Sequence, residues 1–167
     1  MTSLQDYIRD IPDFPQPGVL FRDISPLLRD RFDLALSAMS ALLTREEWNS
    51  IDAIAGIEAR GFILAAGLAS HHGKGFVPIR KEGKLPPPVI RASYQLEYGS
   101  SSLEVRRDHG RLLIVDDVLA TGGTMRAAAD LSIQAGYQVS ALIALIDLRL
   151  APAFEWQGMR VRSAVEY

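Results

Sequence analysis

Residues 112–124 read Leu-Leu-Ile-Val-Asp-Asp-Val-Leu-Ala-Thr-Gly-Gly-Thr, and this stretch decides the fold. Its first four side chains are apolar, which is typical of a strand that is buried on both faces. A helical pattern follows over 124–135, Gly136 ends it, and a second apolar run covers 139–146. Two strands joined through a helix form a right-handed parallel crossover. The stretch therefore predicts an α/β domain.

A second strand, loop and helix precede this unit. Residues 51–57 form a short apolar run rich in isoleucine, Glu-Ala-Arg-Gly follows at 58–61, and residues 62–70 are apolar on nearly every face. Together the two units predict an open, mainly parallel, twisted sheet flanked by helices. Because such sheets bind ligands at the carboxyl ends of their strands, we expect residues 58–61 and 116–124 on one rim.

The segment between the two units has the composition of an exposed insertion. A short strand is predicted over 76–79, but residues 80–88 end in three prolines, which remove donors and fix φ, so neither strand nor helix is expected there. Apolar and polar residues then alternate on both sides of the Gly-Ser-Ser-Ser turn at 99–102, which predicts two exposed antiparallel arms. We therefore predict a flexible antiparallel lid loop over about 81–105.

Length and composition describe one ordinary globular domain. The chain has 167 residues, of which 48% are hydrophobic and 23% charged, its formal net charge is −2 and its pI is about 5.9. A chain of this length buries roughly two thirds of its unfolded surface, so it needs no metal or disulfide to fold. The absence of cysteine excludes disulfide scaffolds, cysteine-ligated metal sites and thiol nucleophiles. The near-neutral charge argues against a nucleic-acid partner.

No repeat, linker or charge block divides the sequence, so a single domain over 1–167 is predicted. Within it, residues 32–43 carry apolar side chains at helical spacing and predict an amphipathic helix. The N-terminus lacks the cationic start and apolar run of a signal peptide. The longest apolar run, 141–146, is far shorter than the roughly 20 residues of a membrane helix. We therefore expect a cytoplasmic protein with no membrane partner.

The turn after the acidic pair combines groups suited to a phosphate with groups suited to a sugar. The glycine pair at 122–123 lets the backbone approach a ligand, and the hydroxyls of Thr121 and Thr124 join the free N–H groups at the helix start. The carboxylates of Asp116 and Asp117 instead accept hydrogen bonds from vicinal hydroxyls or neutralise a cation. These groups together indicate a ribose 5-phosphate. The alternative is a bare turn after a solvated strand end, but strand, acids, glycines and helix agree on one site.

This stretch resembles the phosphoribosyl pyrophosphate (PRPP) motif of type I phosphoribosyltransferases. Four further segments resemble the adenine phosphoribosyltransferase family in the same order, namely PGVLFRDISP at 17–26, EARGF at 58–62, RKEGKLP at 80–86 and YQLEYG at 94–99. The resemblance covers nearly the whole chain. It implies the type I phosphoribosyltransferase fold, with the lid loop and with a small hood from about residues 1–30 plus the C-terminal segment.

The resemblance also implies a role for individual residues. The catalytic residues it implies are Glu97, Arg60 and Asp117, with Glu97 as general acid/base at the purine N7. The ribose 5-phosphate is expected on Asp116, Asp117, Ala120, Thr121, Gly122, Gly123 and Thr124. The pyrophosphate is expected on Ala59, Arg60, Gly61, Arg80, Lys81 and Lys84. Adenine is expected on Leu20, Phe21 and Arg22, with Phe21 stacked on the purine, and Tyr98 is expected to shape the closed lid.

These assignments imply an enzyme of purine salvage that transfers ribose 5-phosphate from PRPP to adenine, giving AMP and pyrophosphate. The implied cofactor is Mg²⁺ held mainly by PRPP, so no residue is assigned as a metal ligand. A homodimer is implied by the resemblance alone. Two alternatives stay open: a phosphoribosyltransferase for hypoxanthine, guanine or xanthine, and, less favoured, a non-catalytic regulator that senses PRPP or purines.

Overall fold

The structure is a computed structural model, and it describes residues 3–96, 99–150 and 152–167. Its helices are a 3-10 helix at Leu4–Tyr7, α1 (Ser25–Asp30), α2 (Phe32–Ser40), α3 (Arg45–Ser50), α4 (Arg60–His72) and α5 (Gly123–Gln134). Its strands are β1 (Arg9–Ile11), β2 (Phe21–Asp23), β3 (Ala53–Ile57), β4 (Gly75–Lys81), β5 (Val89–Leu96), β6 (Gly99–Arg106), β7 (Gly110–Leu119), β8 (Tyr137–Asp147), β9 (Glu155–Trp156) and β10 (Met159–Glu166).

Eight strands form one sheet in the order β5-β6-β4-β3-β7-β8-β10-β9. Neighbouring strands from β4 through β3, β7 and β8 to β10 are parallel, and the strands at both edges are antiparallel. The strands β1 and β2 form a separate two-stranded antiparallel sheet. The prediction of a mainly parallel α/β sheet flanked by helices is confirmed.

Alternate residues of the central strand β7 pack on opposite faces of the sheet. Leu113 and Val115 belong to a core that includes residues of α2 and α4, whereas Leu112 and Ile114 belong to a core that includes residues of α5. All four side chains are completely buried. The unbroken apolar run therefore reflects a strand covered by helices on both sides, as the sequence predicts.

The acidic pair lies inside β7 and not in the loop that was predicted to begin at residue 116. Pairing between β7 and β8 continues through Asp116 opposite Ala144 and Leu119 opposite Asp147. The backbone groups of β8 thus keep the acidic residues extended, which their polarity alone does not reveal. As a result, the ligand loop proper is shorter and starts near Ala120.

The prediction for the insertion is partly wrong. Arg80 and Lys81 lie in β4, where they pair with β6, because the prolines start only at residue 86 and leave these two backbone donors intact. Gly99–Arg106 forms β6, so the Gly-Ser-Ser-Ser segment is strand and not turn. The two antiparallel arms are confirmed, since β5 pairs with β6 along its length. However, Leu103 and Val105 are buried in the core, so β6 is not an exposed arm.

The predicted hood has two parts with different surroundings. Residues 1–30 contain β1 and β2, and the ring of Phe21 packs edge to face on Phe14 with 5.1 Å between centroids. The C-terminal segment contributes β10, which pairs in parallel with β8 in the main sheet. No helix within the described ranges combines the length and the apolar character needed to cross a bilayer.

Candidate active site

The two segments expected on one rim lie against each other at the carboxyl ends of β3 and β7, which are paired neighbours. A Cβ added to Gly61 would lie 3.0 Å from Oδ1 of Asp116 and 3.0 Å from the carbonyl oxygen of Val115. Only glycine allows the first turn of α4 to approach the acidic end of β7 this closely. The structure therefore brings the segments 58–61 and 116–124 together as predicted.

The two carboxylates of the acidic pair differ in their surroundings. The backbone N–H of Asp117 donates to Oδ1 of Asp116 at 2.9 Å. Burial, and then the adjacent Asp117 carboxylate, raise the pKa of Asp116 well above its usual range. Asp117 itself is only 8% exposed. The pair thus presents one carboxyl whose ionisation is disfavoured and one that is ion-paired with Arg60.

Arg60 is the cation in that ion pair. Its Nε lies 2.6 Å from Oδ2 of Asp117, but the N–H is not directed at this oxygen, and within the described ranges the buried Oδ2 accepts no hydrogen bond. A buried acceptor of this kind calls for a donor or a cation. The guanidinium also lies 4.9 Å from the ring centroid of Phe21. Arg60, at the start of α4, therefore links a residue predicted to bind ribose with one predicted to bind the purine.

The turn before α5 has the form of an anion site. Gly122 is the N-cap of α5 with φ of +89°, and no side chain caps the helix, so its first N–H groups face outward without an intrahelical partner. Ala120 and Thr121 are exposed beside them, and Thr124 lies in the first turn. The predicted phosphate loop is thus assembled around one open helix end.

Phe154 and Arg126 support this loop, and neither was predicted from the sequence. A Cβ on Gly122 would lie 2.1 Å from Cδ2 of Phe154, so the aromatic ring occupies the space that glycine leaves. The guanidinium of Arg126 lies 5.1 Å from the centroid of the Phe154 ring. The aromatic residue stands far from the loop in sequence, and no local pattern links the two.

The cationic segment at the end of β4 is held by a carboxylate, Glu58, that was not predicted from the sequence. Oε1 of Glu58 accepts hydrogen bonds from Nη2 and Nε of Arg80 at 2.9 and 3.2 Å, and its Oε2 accepts the backbone N–H of Lys81 at 2.9 Å. Burial tends to raise the pKa of Glu58, but the Lys81 N–H and the Arg80 guanidinium outweigh it and leave the pKa lowered. Arg80 is thus partly neutralised, whereas the side chains of Lys81 and Lys84 are exposed. The sequence signal that could have identified Glu58 is its position directly after a predicted strand, at the start of the EARGF segment.

The residues predicted to bind adenine lie at β2 and its approach. Arg22 is ion-paired with Asp10, and its guanidinium lies 3.7 Å from the centroid of the Tyr167 ring. Its side chain is therefore engaged by other parts of the chain, and its backbone lies in β2 opposite Asp10 of β1. Phe21 borders Arg60, as described above, and the neighbouring Leu20 is exposed.

Two predicted residues, Glu97 and Tyr98, lie outside the described residues. In the part of the chain that is described, no cluster of three or more His, Cys, Asp or Glu side chains could hold a metal ion. Carboxylates lie at the ends of both neighbouring strands, Glu58 after β3 and the acidic pair in β7, and oxygen is the ligand type that Mg²⁺ prefers.

Comparison with known proteins identifies the family. The phosphoribosyl transferase domain family matches residues 31–159. A relative described as adenine phosphoribosyltransferase, from Bdellovibrio bacteriovorus, is 49% identical over 165 residues, covering 99% of this chain and 99% of that protein. The chain belongs to the adenine phosphoribosyltransferase family.

Solved structures of this family share the fold. The adenine phosphoribosyltransferase of Thermoanaerobacter pseudethanolicus superposes with a TM-score of 0.90 at 40% identity, covering 98% of each chain. The Saccharomyces cerevisiae adenine phosphoribosyltransferase superposes with a TM-score of 0.85 at 33% identity over 96% of each chain. That yeast structure holds adenine together with an imino-altritol bisphosphate. The match to the family extends over nearly the whole chain and includes the rim.

Proposed function

We propose that this chain is a purine-salvage enzyme that transfers ribose 5-phosphate from PRPP to N9 of adenine and releases AMP and pyrophosphate. One observation carries the proposal: the acidic pair at the end of β7 leads within one short loop to the uncapped N-terminus of α5, and Arg60 is ion-paired with Asp117. In this proposal the ribose hydroxyls donate hydrogen bonds to the acidic pair, and the phosphate of the same ligand meets the helix end. The names of the relatives agree with this assignment.

Each half of the PRPP molecule has its own binding groups in this proposal. The 5-phosphate lies against the helix start, where the residues that bind it are Ala120, Thr121, Gly122, Gly123 and Thr124. The vicinal hydroxyls donate to the acidic pair. The pyrophosphate lies against Arg60 with the backbone of Ala59 and Gly61, and Arg80, Lys81 and Lys84 add positive charge. The pairing of Arg80 with Glu58 makes its contribution weaker than that of the two exposed lysines.

The reaction breaks the bond from the anomeric carbon to a pyrophosphate oxygen and forms the bond from that carbon to N9. Positive charge develops on the sugar, as in glycoside hydrolysis, while negative charge grows on the leaving group. The guanidinium of Arg60 stabilises that negative charge, and Asp117 orients the sugar. Glu97 is proposed to act as the general acid/base at the purine N7 while the base loses its N9 proton. Mg²⁺ carried by PRPP supplies further neutralisation of the pyrophosphate when it is bound.

Adenine is proposed to stack on Phe21 while backbone groups of Leu20 and Arg22 contact its edge. Because Asp10 and Tyr167 already engage the Arg22 side chain, the proposal assigns no side-chain contact with the base to this residue. The lid, with Tyr98, is proposed to exclude water, which competes as a nucleophile. The proposed compartment is the cytoplasm.

We also propose that the enzyme is a homodimer. Ile63 on α4 and Phe76 on β4 are 46% and 39% exposed, and the Phe76 ring meets Phe62 edge to face at 5.6 Å. Arg80, one of the cations assigned to pyrophosphate, lies 5.9 Å from the Phe62 ring centroid. This apolar surface is therefore continuous with the pyrophosphate segment, which supports a second copy of the chain as its partner.

A base screen tests the proposed reaction. The purified protein is incubated with PRPP, Mg²⁺ and adenine, hypoxanthine, guanine or xanthine, and nucleotide and pyrophosphate are both measured. We expect equal amounts of AMP and pyrophosphate from adenine. Product from a 6-oxopurine instead would favour the alternative base specificity, and PRPP binding without product would favour the regulator. Failure to form AMP from adenine would refute the proposal.

A further inference from the structure

A carboxylate with no exposure to solvent lies behind the pyrophosphate segment. Glu104, in the middle of β6, is 0% exposed. Its Oε1 accepts the backbone N–H groups of Lys84 and Leu85, each at 2.6 Å, and its Oε2 accepts Nε of Arg91 at 3.0 Å. Both oxygens of the buried carboxylate are therefore occupied by donors from two other segments of the insertion.

This environment keeps Glu104 ionised. Burial tends to raise its pKa, but Arg91 and the backbone N–H groups of residues 83–85 outweigh burial and bring the pKa to about 2. A buried charge costs free energy, and well-packed apolar residues are often at least as stabilising at such a position. An apolar side chain, however, could not accept hydrogen bonds from the successive backbone N–H groups of this turn, as the Glu104 carboxylate does.

The turn that Glu104 holds carries residues assigned to pyrophosphate. Its far end is fixed by Glu104 through Lys84 and Leu85, and its near end is fixed by Glu58 through the N–H of Lys81. In addition, the carbonyl oxygen of Lys84 accepts a hydrogen bond from Nη1 of Arg80 at 3.5 Å. Two carboxylates thus define the path of the backbone between β4 and the prolines, while the lysine side chains stay exposed.

We propose that Glu104 is a positioning residue for PRPP and pyrophosphate: its ionised carboxylate fixes the backbone of the 82–85 turn and thereby holds the ammonium group of Lys84 in place for the pyrophosphate. This inference rests on the proposed function. Glu104 does not touch the substrate and acts only through Lys84. The pre-formed turn spares the enzyme the cost of ordering a lysine-bearing loop when PRPP binds.

The competing explanation is that Glu104 only stabilises the β5–β6 hairpin. The two explanations differ in their effect on ligands. AMP has the ribose 5-phosphate and the base but no pyrophosphate, so a defect confined to the 82–85 turn affects PRPP and spares AMP. A general loss of protein stability weakens the binding of both PRPP and AMP.

The test compares Glu104→Ala, Glu104→Gln and Glu82→Ala with the wild type. Glu82 provides a matched control, because it is a carboxylate in the same turn but its side chain is 54% exposed. Its only ion pair among the described residues is a long one, with 3.9 Å between its Oε1 and Nε of Arg91. Dissociation constants for PRPP and for AMP are measured by calorimetry with Mg²⁺ present, and folding is checked by thermal melting.

We expect Glu104→Ala to weaken PRPP binding about tenfold, equivalent to about 1.4 kcal/mol, and to leave AMP binding within about twofold of the wild type. In Glu104→Gln the amide oxygen still accepts the two backbone N–H groups but the amide nitrogen faces Arg91, so PRPP binding weakens only about threefold and AMP binding is unchanged. Glu82→Ala is expected to bind both ligands as the wild type does.

Equal weakening of PRPP and AMP, or no change for either ligand, overturns the inference. If Glu104→Ala does not fold, the same criteria are applied to Glu104→Gln. Measuring AMP formation by the wild-type protein distinguishes failure of this inference from failure of the proposed function. A wild-type protein that makes no AMP refutes the proposed function, whereas an active wild type without the difference between ligands refutes only the role of Glu104.

Discussion

Replacing Gly122 by alanine is expected to weaken PRPP binding, because the proposed phosphate loop has no room for a Cβ at this residue. The added atom would lie 2.1 Å from Cδ2 of Phe154 and 2.6 Å from two further ring carbons. Carbon atoms in contact normally lie at least about 3.5 Å apart. The ring or the loop must therefore move by about 1.4 Å. Gly122 is buried and Phe154 is half-buried, whereas Ala120 and Thr121 just before the glycine are exposed.

Two costs combine in this substitution. The φ of +89° at Gly122 lies in the left-handed region, where an L-residue loses roughly 1–2 kcal/mol. Displacing the Phe154 ring also weakens its contact with the Arg126 guanidinium, worth roughly 0.5–1 kcal/mol at an exposed site. If the loop changes shape to avoid these costs, restoring it for PRPP costs about 2 kcal/mol, which corresponds to about thirtyfold weaker binding.

The assay is calorimetric titration of PRPP into wild type, Gly122→Ala, Gly122→Ala/Phe154→Ala and a control, Gly73→Ala. Gly73 also has a positive φ, +61°, at the end of α4, but no atom lies within 4 Å of its added Cβ, so its variant is expected to bind PRPP normally. The double variant removes the clash and is expected to bind PRPP more tightly than Gly122→Ala. Wild-type affinity in Gly122→Ala, or no recovery in the double variant, would refute the reasoning.

Two other predictions concern charged groups. Arg60→Ala and Asp117→Asn are each expected to lower kcat/KM for PRPP about a hundredfold with the fold intact by circular dichroism, and normal turnover in Arg60→Ala would contradict its pyrophosphate role. Hydrogen bonds from Ser25, and then from Arg9, lower the pKa of Asp23 to about 2. The ionised carboxylate therefore stabilises the native state fully above the usual pKa of about 4, and this contribution disappears as the pH falls towards 2. Asp23→Asn should therefore lower Tm at pH 7 but not near pH 2, and a constant difference in Tm across this range would argue against the role.

The parts of the fold that the sequence predicts well are those governed by local patterns. The apolar run of β7 predicts a strand buried on both faces, because burial under helices removes the alternation that a half-exposed strand shows. The glycine pair at 122–123 predicts a turn that opens a helix, and the φ of +89° at Gly122, the N-cap of α5, agrees with that part of the prediction. The approach of a ligand to these glycines stays a prediction. Both signals reside within a few consecutive residues.

Strand ends in this chain are harder to predict because they depend on the neighbouring strand. Asp116 and Asp117 read as loop residues, yet the pairing with β8 keeps them extended. Arg80 and Lys81 read as part of a proline-rich loop, yet β6 pairs with them. Backbone hydrogen bonds to a partner strand override local polarity at these positions.

The supporting residues of the site were missed for a related physical reason. Glu58, Glu104 and Phe154 each act on a segment remote in sequence, by accepting its backbone N–H groups or by filling the space beside a glycine. A carboxylate in an alternating polar strand is indistinguishable in sequence from a solvated charge until the segment that covers it is known. The residues proposed to touch PRPP are predicted from local chemistry, whereas the residues that hold them in place are recognisable only from the fold. The proposed PRPP site therefore extends beyond its motif to the carboxylates that shape the cationic turn.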